Sequence, residues 1–195
     1  MTKLTKILLS VIIIPVLLCL FPKNGYSQWS VWGSFELQDE DPTDGFGIRV
    51  EREMVEVIPL IDIRLRAQAS RMSEDNRISQ SGVMFDQDLT MYDFGLSAMG
   101  GFTTGVLRIY TGFGGGYMNF ESEARNIEII EGAEITVIPD IDRSSFFWNF
   151  IAGFEFTPIP LVNPFFEYRF INVTDNDEFA FRNLNRLSIG FSLNF

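Results

Sequence analysis

Charged residues recur at every second position within otherwise apolar segments, and they are the residues best placed to form a polar interior. The set comprises Arg49, Glu51, Asp62, Arg64, Arg66, Arg108, Glu155, Glu167 and Arg169. Arginine suits carboxylates because its planar guanidinium can donate two parallel hydrogen bonds. A charge removed from water must also be paired and hydrogen-bonded. The pattern predicts an internal ion network, with a conducting pore or proton path as the alternative.

The segments that carry these charges alternate apolar and polar residues with a period of two. In the last segment, Leu187, Ile189, Phe191, Leu193 and Phe195 are separated by polar residues or glycine, as in a strand with one apolar face. We predict eight strands, at about 28–37, 45–54, 60–72, 89–100, 105–120, 145–156, 164–173 and 186–195. Their length is close to the roughly ten residues with which a tilted strand crosses a bilayer.

Beyond its N-terminal segment the chain has no continuously apolar run of the roughly 20 residues that a spanning helix needs. In lipid, backbone polar groups must pair within the protein, which only helices and closed barrels achieve. The sequence therefore predicts an all-β domain at 28–195, an eight-stranded antiparallel up-and-down transmembrane β-barrel. Because side chains can fill the interior of an eight-stranded barrel, we favour a plugged lumen over a pore.

The connections alternate between short and long. Those at 54–59, 100–104 and 157–163 are short and predict periplasmic turns, whereas those at 38–44, 73–88, 121–144 and 174–183 are mostly longer and acidic and predict external loops. The longest contains apolar residues that could extend strands five and six and recruit a partner by strand addition; these are Ile127, Ile129, Ile130, Ile135, Val137 and Ile138. Acidic clusters predict solvated loops, with bound Ca²⁺ or bridging to lipopolysaccharide through divalent ions as the alternative. They are Asp39, Glu40 and Asp41 with Asp44, Asp86 with Asp88, and Asp175 with Asp177 and Glu178.

The N-terminus predicts export from the cytoplasm. Lys3 and Lys6 precede an apolar run at 7–21, and a short polar stretch follows it. This order is typical of a signal peptide, and we expect cleavage directly after Ser27, so that 1–27 is removed. A membrane anchor is the alternative, although the run is short for a spanning helix.

The predicted mature chain is acidic and has no thiol. Cys19, the single cysteine, lies in the signal peptide, where lipid attachment is a further alternative although the preceding Leu18 is large. All three lysines leave with that segment, so 12 arginines face 26 carboxylates, a formal net charge of −14. We expect no nucleic-acid partner, because that affinity depends on cations.

The C-terminal segment carries a resemblance to a known family. Ser188, Gly190, Leu193 and Phe195 are spaced as in the assembly signal of outer-membrane barrels. The segments 110–117 and 167–170 are also similar to ones common in the small OmpA/OmpX-like outer-membrane β-barrel family, which is porin-family-like. The resemblance implies a cell outer membrane of the Gram-negative kind and insertion by the barrel-assembly machinery. It also implies contact with outer-membrane lipid and lipopolysaccharide; we expect a monomer with an unknown extracellular partner.

Aromatic residues and the absence of histidine complete the prediction. Trp29, Trp148 and Tyr168, with Phe195, are expected to form aromatic girdles where the barrel meets lipid headgroups. Some small outer-membrane barrels resemble lipases, acyltransferases or proteases, which rely on a histidine as general base or to activate a nucleophile. This sequence contains no histidine. We therefore expect no catalytic, cofactor-binding or metal site.

The functional hypothesis is a structural or adhesion-like surface-interaction role through the acidic external loops. A narrow porin-like channel is the first alternative. A secreted lipocalin-like barrel is the second, and it requires the reverse arrangement, with the apolar face inside and the charges outside.

Overall fold

The computed structural model describes residues 29–58, 60–80, 83–129, 140–158, 162–174 and 182–195. Eight antiparallel strands follow one another around a closed barrel, which confirms the predicted fold class. They are β1 (Trp29–Gln38), β2 (Asp44–Ile58), β3 (Ile61–Gln80), β4 (Val83–Thr104), β5 (Leu107–Ile129), β6 (Ile141–Phe156), β7 (Val162–Val173) and β8 (Asn183–Asn194). The predicted signal peptide lies outside the described residues. Within those residues, no helix has the length and apolarity to span a membrane.

The register between neighbouring strands sets the tilt of the barrel. A row of paired residues, one on each strand, runs around the barrel: Trp29, Arg52, Leu65, Ala98, Phe113, Phe150, Phe170 and Asn185. The carbonyl of Asn185 then accepts a hydrogen bond from the amide of Asp39. One circuit therefore returns to β1 ten residues beyond its start, at Asp39 instead of Trp29. With strands about 4.8 Å apart and about 3.3 Å per residue, this stagger tilts the strands by roughly 40°.

Apolar side chains cover the outside of the barrel, and charged side chains lie within it. In β1, Phe35 and Leu37 are exposed whereas Trp32 and Glu36 are fully buried. We call the exposed apolar set the lipid belt; it includes Phe46, Ile48, Phe94, Leu96, Phe113, Phe146, Phe150, Phe154, Ile189 and Phe191, each at least 45% exposed. A soluble protein rarely exposes so large an apolar surface. The reverse arrangement expected of a lipocalin-like barrel is not found in the described residues.

At one end of the barrel, which we call the turn end, the connections are tight. The predicted turn at 100–104 was placed wrongly, because β4 continues to Thr104 and β5 begins at Leu107. The turn is the two residues between them, and Gly105 has a φ of +58°. Glycine adopts this left-handed conformation without the steric cost that a Cβ imposes.

At the opposite end, three strands extend far beyond their neighbours. The predicted loop at 73–88 was wrong over much of its length, since 73–80 and 83–88 are strand. At 121–144 the suggested extension of strands five and six is found at 121–129 and 141–144, whereas Ile130, Ile135, Val137 and Ile138 lie outside the described residues. We call Ser73–Gln80, Val83–Thr90 and Glu121–Ile129 the tongue, and this end of the barrel the tongue end. Its first row pairs Ser73 with Thr90 and Thr90 with Glu121. Eight tilted residues at about 3.3 Å each raise the tongue roughly 20 Å above the rim.

Candidate functional sites in the lumen and on the tongue

A cluster of buried apolar side chains lies in the lumen at the tongue end. This lumen cap consists of Met72, Met91, Met118, Phe147, Ile171, Val173 and Leu184, from the six strands β3 to β8, and no member is more than 4% exposed. On β2, Gly45 lies opposite Met72. A Cβ on Gly45 would lie 2.8 Å from Sδ of Met72, so glycine leaves the space that this side chain fills.

Below the lumen cap, five charged side chains from five strands form one connected group. Glu36 pairs with Arg49 at 2.8 Å and with Arg186 at 3.1 Å. Asp93 pairs with Arg186 at 2.6 Å and with Arg169 at 3.2 Å. These side chains are at most 1% exposed. Because each carboxylate contacts at least two guanidinium groups, β1, β2, β4, β7 and β8 are joined across the lumen.

Glu167 continues the group towards the turn end. It accepts hydrogen bonds from Arg66 and, at 3.0 Å, from the hydroxyl of Tyr110, and Arg49 lies 3.3 Å away. Arg66 in turn lies 2.6 Å from Glu51. The predicted charges on β2, β3 and β7 therefore converge on the barrel axis.

An aromatic layer surrounds this part of the network. It comprises Trp32, Met99, Tyr110, Ile151 and Phe165. The ring of Trp32 meets Phe165 edge-on, with centroids 4.7 Å apart, and the guanidinium of Arg66 lies 5.1 Å from the Trp32 ring. A cation over an aromatic face gains electrostatic energy, so this layer both fills space and contacts charge.

A second group of ion pairs lies at the turn end. Asp62 accepts hydrogen bonds from Arg108 at 2.6 Å and from Arg64 at 2.9 Å. Glu155 lies 3.6 Å from Arg108 and also accepts hydrogen bonds from Ser192, Asn163 and Asn194. Glu155 thus links β5 and β6 to the first residues of β7 and the last of β8.

All nine charges singled out in the sequence lie on the inner face, and each forms at least one ion pair. Sequence reasoning missed Glu36, Asp93 and Arg186. The same alternation places these three on the polar face of their strands, so that signal could have found them. With them, the lumen network contains six arginines and six carboxylates, at most 17% exposed.

Glycines on the inner faces of β4 and β5 make room for bulky neighbours. A Cβ on Gly95 would lie 3.3 Å from a ring carbon of Phe147, and a Cβ on Gly116 only 2.7 Å from it. Likewise, a Cβ on Gly112 would lie 2.2 Å from Sδ of Met99. The glycine run of β5 therefore accommodates inward side chains of the lumen cap and the aromatic layer.

The residues of the predicted assembly signal lie on both faces of β8. Ser188 is buried and accepts a hydrogen bond from Arg49 at 2.8 Å. Gly190 lies so close to the carbonyl of Gly33 that a Cβ would stand 1.9 Å from it. Leu193 and Phe195 are 48% and 65% exposed on the outside. Recognition by the assembly machinery stays a prediction.

The predicted girdle aromatics all face outwards. Trp29 lies near the turn end, 5.3 Å from the guanidinium of Arg52. Trp148 packs against Phe170, with centroids 5.5 Å apart. Tyr168 donates a hydrogen bond to Asn185 at 2.5 Å. Their contact with lipid headgroups stays a prediction.

The tongue is acidic. Its carboxylates are Glu74, Asp75, Asp86, Asp88, Glu121, Glu123 and, at a position whose side chain is not described, Glu128; its arginines are Arg77 and Arg125. Arg125 lies 2.8 Å from Glu123 and 2.7 Å from Asp88. The pKa of Arg125 is raised above its ordinary value by the hydrogen bond to Glu123 and by the charge of Asp88. Among the described residues, no group of three or more carboxylates is arranged to hold a metal ion.

Two edges of the tongue have backbone groups that do not pair with a further described strand. The last β3 residue paired with β2 is Met72, so the edge from Ser73 onwards pairs only with β4 in the described chain. On the other side, the last β5 residue paired with β6 is Ser122. The β1–β2 turn reaches the base of the first edge, where the amide of Thr43 donates to Glu74 at 2.7 Å.

A closed eight-stranded ring with an apolar exterior and a charged interior defines a transmembrane β-barrel protein. A family model described as "Outer membrane protein beta-barrel domain" matches residues 25–195. The chain belongs to that family, and its place is the cell outer membrane.

Solved structures share this fold. Neisserial surface protein A is similar at 17% identity with a TM-score of 0.58, over 88% of this chain and 100% of that one. The attachment invasion locus protein Ail of Yersinia pestis is similar at 15% identity with a TM-score of 0.54, over 89% and 100% of the two chains. A major outer membrane protein from Thermus thermophilus is similar at 9% identity with a TM-score of 0.62, over 85% and 99%. No curated protein sequence matches the chain.

Proposed function

We propose that this protein is an adhesion-like surface-interaction protein that contacts partners through the tongue, while its lumen is closed to ions. The observation that carries the proposal is the extension of β3, β4 and β5 to 20, 22 and 23 residues. About ten residues suffice to cross the membrane at this tilt. The remaining length presents a three-stranded sheet to the aqueous phase, and barrels of this type place their longer connections outside the cell.

The edges of the tongue supply the means of interaction. An extended segment of a partner can add to a sheet edge, where backbone hydrogen bonds provide affinity and alternate side chains provide specificity. The β3 edge beyond Met72 is the better acceptor, since the β1–β2 turn beside it ends at its base. The excess of carboxylates over arginines favours a basic partner, because complementary charge speeds association.

The names of two similar barrels point in the same direction. One is described as a surface protein and the other as an attachment invasion locus protein. At 17% and 15% identity these likenesses show the fold alone. The proposal for this chain therefore depends on the tongue.

A narrow channel is the competing function, and the packing of the lumen opposes it. An ion entering from the tongue end meets the lumen cap, whose seven apolar members are at most 4% exposed. Beyond the cap it meets arginines and carboxylates that already neutralise one another. Since the interior of an eight-stranded barrel is just wide enough for side chains, we expect purified protein to give no channel steps in a planar bilayer.

Shortening the tongue tests the proposed role. Residues 75–80 pair antiparallel with residues 83–88, and Asp75 lies opposite Asp88 at the two ends of the segment 75–88. Replacing this segment by a two-residue Asn-Gly turn keeps the strands below it. We expect the variant to insert normally, with the gel shift on heating that marks a folded barrel, but to lose cell aggregation and retention on surfaces coated with extracellular-matrix proteins.

A charge variant provides the matched control. Replacing Asp75 and Asp88 by asparagine keeps the length and edge of the tongue but removes two charges. If strand addition provides affinity, this variant retains binding at high salt, whereas the shortened variant does not. Unchanged adhesion of the shortened variant would show that the tongue is not the contact surface.

A further inference from the structure

Several polar atoms in the middle of the lumen have no hydrogen-bond partner among the described residues. Five of them belong to three residues and are Nε2 and Oε1 of Gln68, Nδ2 of Asn149, and Nε and Nη1 of Arg169; Oε2 of Glu51, Nη2 of Arg66 and Oε1 of Glu167 also have none. Gln68, Asn149 and Arg169 are 5%, 0% and 0% exposed. A buried amide or guanidinium N–H without an acceptor is costly, and buried polar groups in native proteins are nearly always satisfied by protein or ordered water.

The three side chains converge on one region. Nη2 of Arg169 on β7 lies 3.4 Å from the hydroxyl of Ser70 on β3, and Ser70 is the next inward residue after Gln68. Ser97 on β4, next to the Gly95 that pairs with Gln68, contacts Oδ1 of Asn149 on β6 at 3.4 Å. Ser70 therefore contacts Arg169 and follows Gln68 on the inner face of β3, while Ser97 contacts Asn149 from the neighbouring strand β4.

The wall beside this region is built of small residues. The inward positions of β4 and β5 at this level are Gly95, Ser97, Gly114 and Gly116. The ring of Phe147 covers Gly95 and Gly116 from the side of the lumen cap. Towards the turn end, the aromatic layer begins with Ile151 and Trp32, both 0% exposed. The polar region is thus enclosed between two apolar layers.

The chemistry of the region selects a small, neutral hydrogen-bond acceptor. Four of the five unpartnered atoms of Gln68, Asn149 and Arg169 carry N–H groups, and one is an acceptor oxygen. The surrounding lumen network has equal numbers of arginines and carboxylates, so an anion would leave an unbalanced buried charge. Water can accept and donate, and a polar cavity with two to four partners holds it well.

We propose that Gln68, Asn149 and Arg169 form a buried water-binding site, which we call the lumen hydration site, between the lumen cap and the aromatic layer. The bound water completes the hydrogen bonding of these residues without connecting the two mouths of the barrel. The site is independent of the tongue and of any partner bound there.

Solid-state NMR of the folded protein in lipid bilayers tests the site directly. We expect magnetisation transfer from water to the side-chain amides of Gln68 and Asn149. The methyl groups of Ile171 and Leu184 in the lumen cap serve as controls and should receive none. Absence of transfer to both amides, with their signals otherwise visible, would overturn the proposal.

Stability measurements distinguish water from an empty site. Asn149→Leu and Gln68→Met keep the approximate volume but remove the groups that hold water, and Ile151→Leu in the same region measures repacking alone. If water is bound, each amide variant should raise the unfolding equilibrium constant about five- to thirtyfold relative to the Ile151 control. Stabilisation by both variants would indicate unsatisfied groups in a dry site and would contradict the proposal.

The identity of the occupant is tested with anions. Exchange of sodium chloride for sodium sulfate at equal ionic strength should shift the unfolding midpoints of the unaltered protein and of Asn149→Leu by the same amount if the occupant is water, because the general stabilising effect of sulfate acts on both. A midpoint that falls when chloride is removed, in the unaltered protein but not in Asn149→Leu, would assign the site to an anion and overturn the proposal.

Discussion

Asp93 is the residue at which the exclusion of bulk water from the lumen network can be measured. Its carboxylate lies 2.6 Å from Nη1 of Arg186 and 3.2 Å from Nη2 of Arg169, and the three side chains are 0% exposed. Asp93→Asn preserves the shape and removes the charge. Asp88→Asn in the tongue is the matched control, because Asp88 lies 2.7 Å from Arg125 but the two side chains are 25% and 60% exposed.

The expected effects differ because of burial. Removing one partner of a buried ion pair costs about 3–5 kcal/mol, since the other charge is left uncompensated. Glu36 still lies 3.1 Å from Arg186 but 3.9 Å from Arg169. The asparagine oxygen also still accepts hydrogen bonds, so we expect a loss of about 3 kcal/mol for Asp93→Asn. An exposed pair contributes at most about 1 kcal/mol, which is the upper limit for Asp88→Asn.

Equilibrium unfolding by urea in lipid vesicles measures both variants. Tryptophan fluorescence follows unfolding, because Trp32 is fully buried and contacts Arg66 in the folded barrel. The gel shift on heating verifies the folded fraction. We expect a lower midpoint for Asp93→Asn with an unchanged slope, because the surface exposed on unfolding is the same. Equal shifts for the two variants would refute the reasoning, since they would show that water screens the lumen as it screens the tongue.

Three further predictions concern packing, assembly and processing. Gly116→Ala should destabilise the barrel by about 1–3 kcal/mol through overpacking, whereas Gly33→Ala, where nothing lies within 4 Å of the new Cβ, should change the unfolding midpoint little. Phe195→Ser should reduce the folded fraction recovered from outer membranes more than Phe146→Ser, although the two side chains are 65% and 69% exposed; equal reductions would indicate loss of lipid contact alone. Mass spectrometry of the exported protein should show a mature chain that begins immediately after Ser27, and a retained N-terminus would contradict the predicted signal peptide.

The strands inside the membrane were predictable because lipid on one side and a polar interior on the other impose a period of two. Along β8, the apolar residues from Leu187 to Phe195 follow this pattern without a break. In the β3 part of the tongue polar residues lie on both faces, so the pattern fades: Ser73 and Asp75 on one face alternate with Glu74 and Asn76 on the other. For that reason the sequence predicted a loop where the chain remains in strand.

The sequence pattern also failed to predict the apolar residues on the inner face of the barrel. Alternation assigns a residue to a face, but it assumes that the inner face is polar. Met72, Met91 and Leu184 break this assumption, because they are apolar and yet fully buried in the lumen cap. Their role depends on neighbours from other strands at the same height, which the period within one strand does not reveal.

The sequence also could not predict which arginine pairs with which carboxylate. Asp93 and Arg186 are 93 residues apart and lie on β4 and β8, which are not neighbours in the ring. They meet because the ten-residue stagger brings these two inward positions to the same level of the barrel. The sequence predicted a network of arginines and carboxylates, but the pairing within it follows from the stagger and from the small residues that let long side chains cross the lumen.

Because the lumen network is neutral and the net charge lies outside it, added salt should affect partner association by the tongue more than it affects the ion pairs in the lumen. The predicted mature chain has 12 arginines and 26 carboxylates, and the lumen network accounts for six of each. The whole net charge of −14 therefore belongs to residues outside that network. Exposed charges are screened over about 8 Å at physiological ionic strength, whereas buried pairs are screened much less.

Association of the tongue with a basic partner should consequently slow as salt is added, while the stability difference between Asp93→Asn and the unaltered barrel should persist. If both respond equally to salt, the two sets of charges share the same solvent, and the separation between a closed interior and an acidic contact surface is wrong.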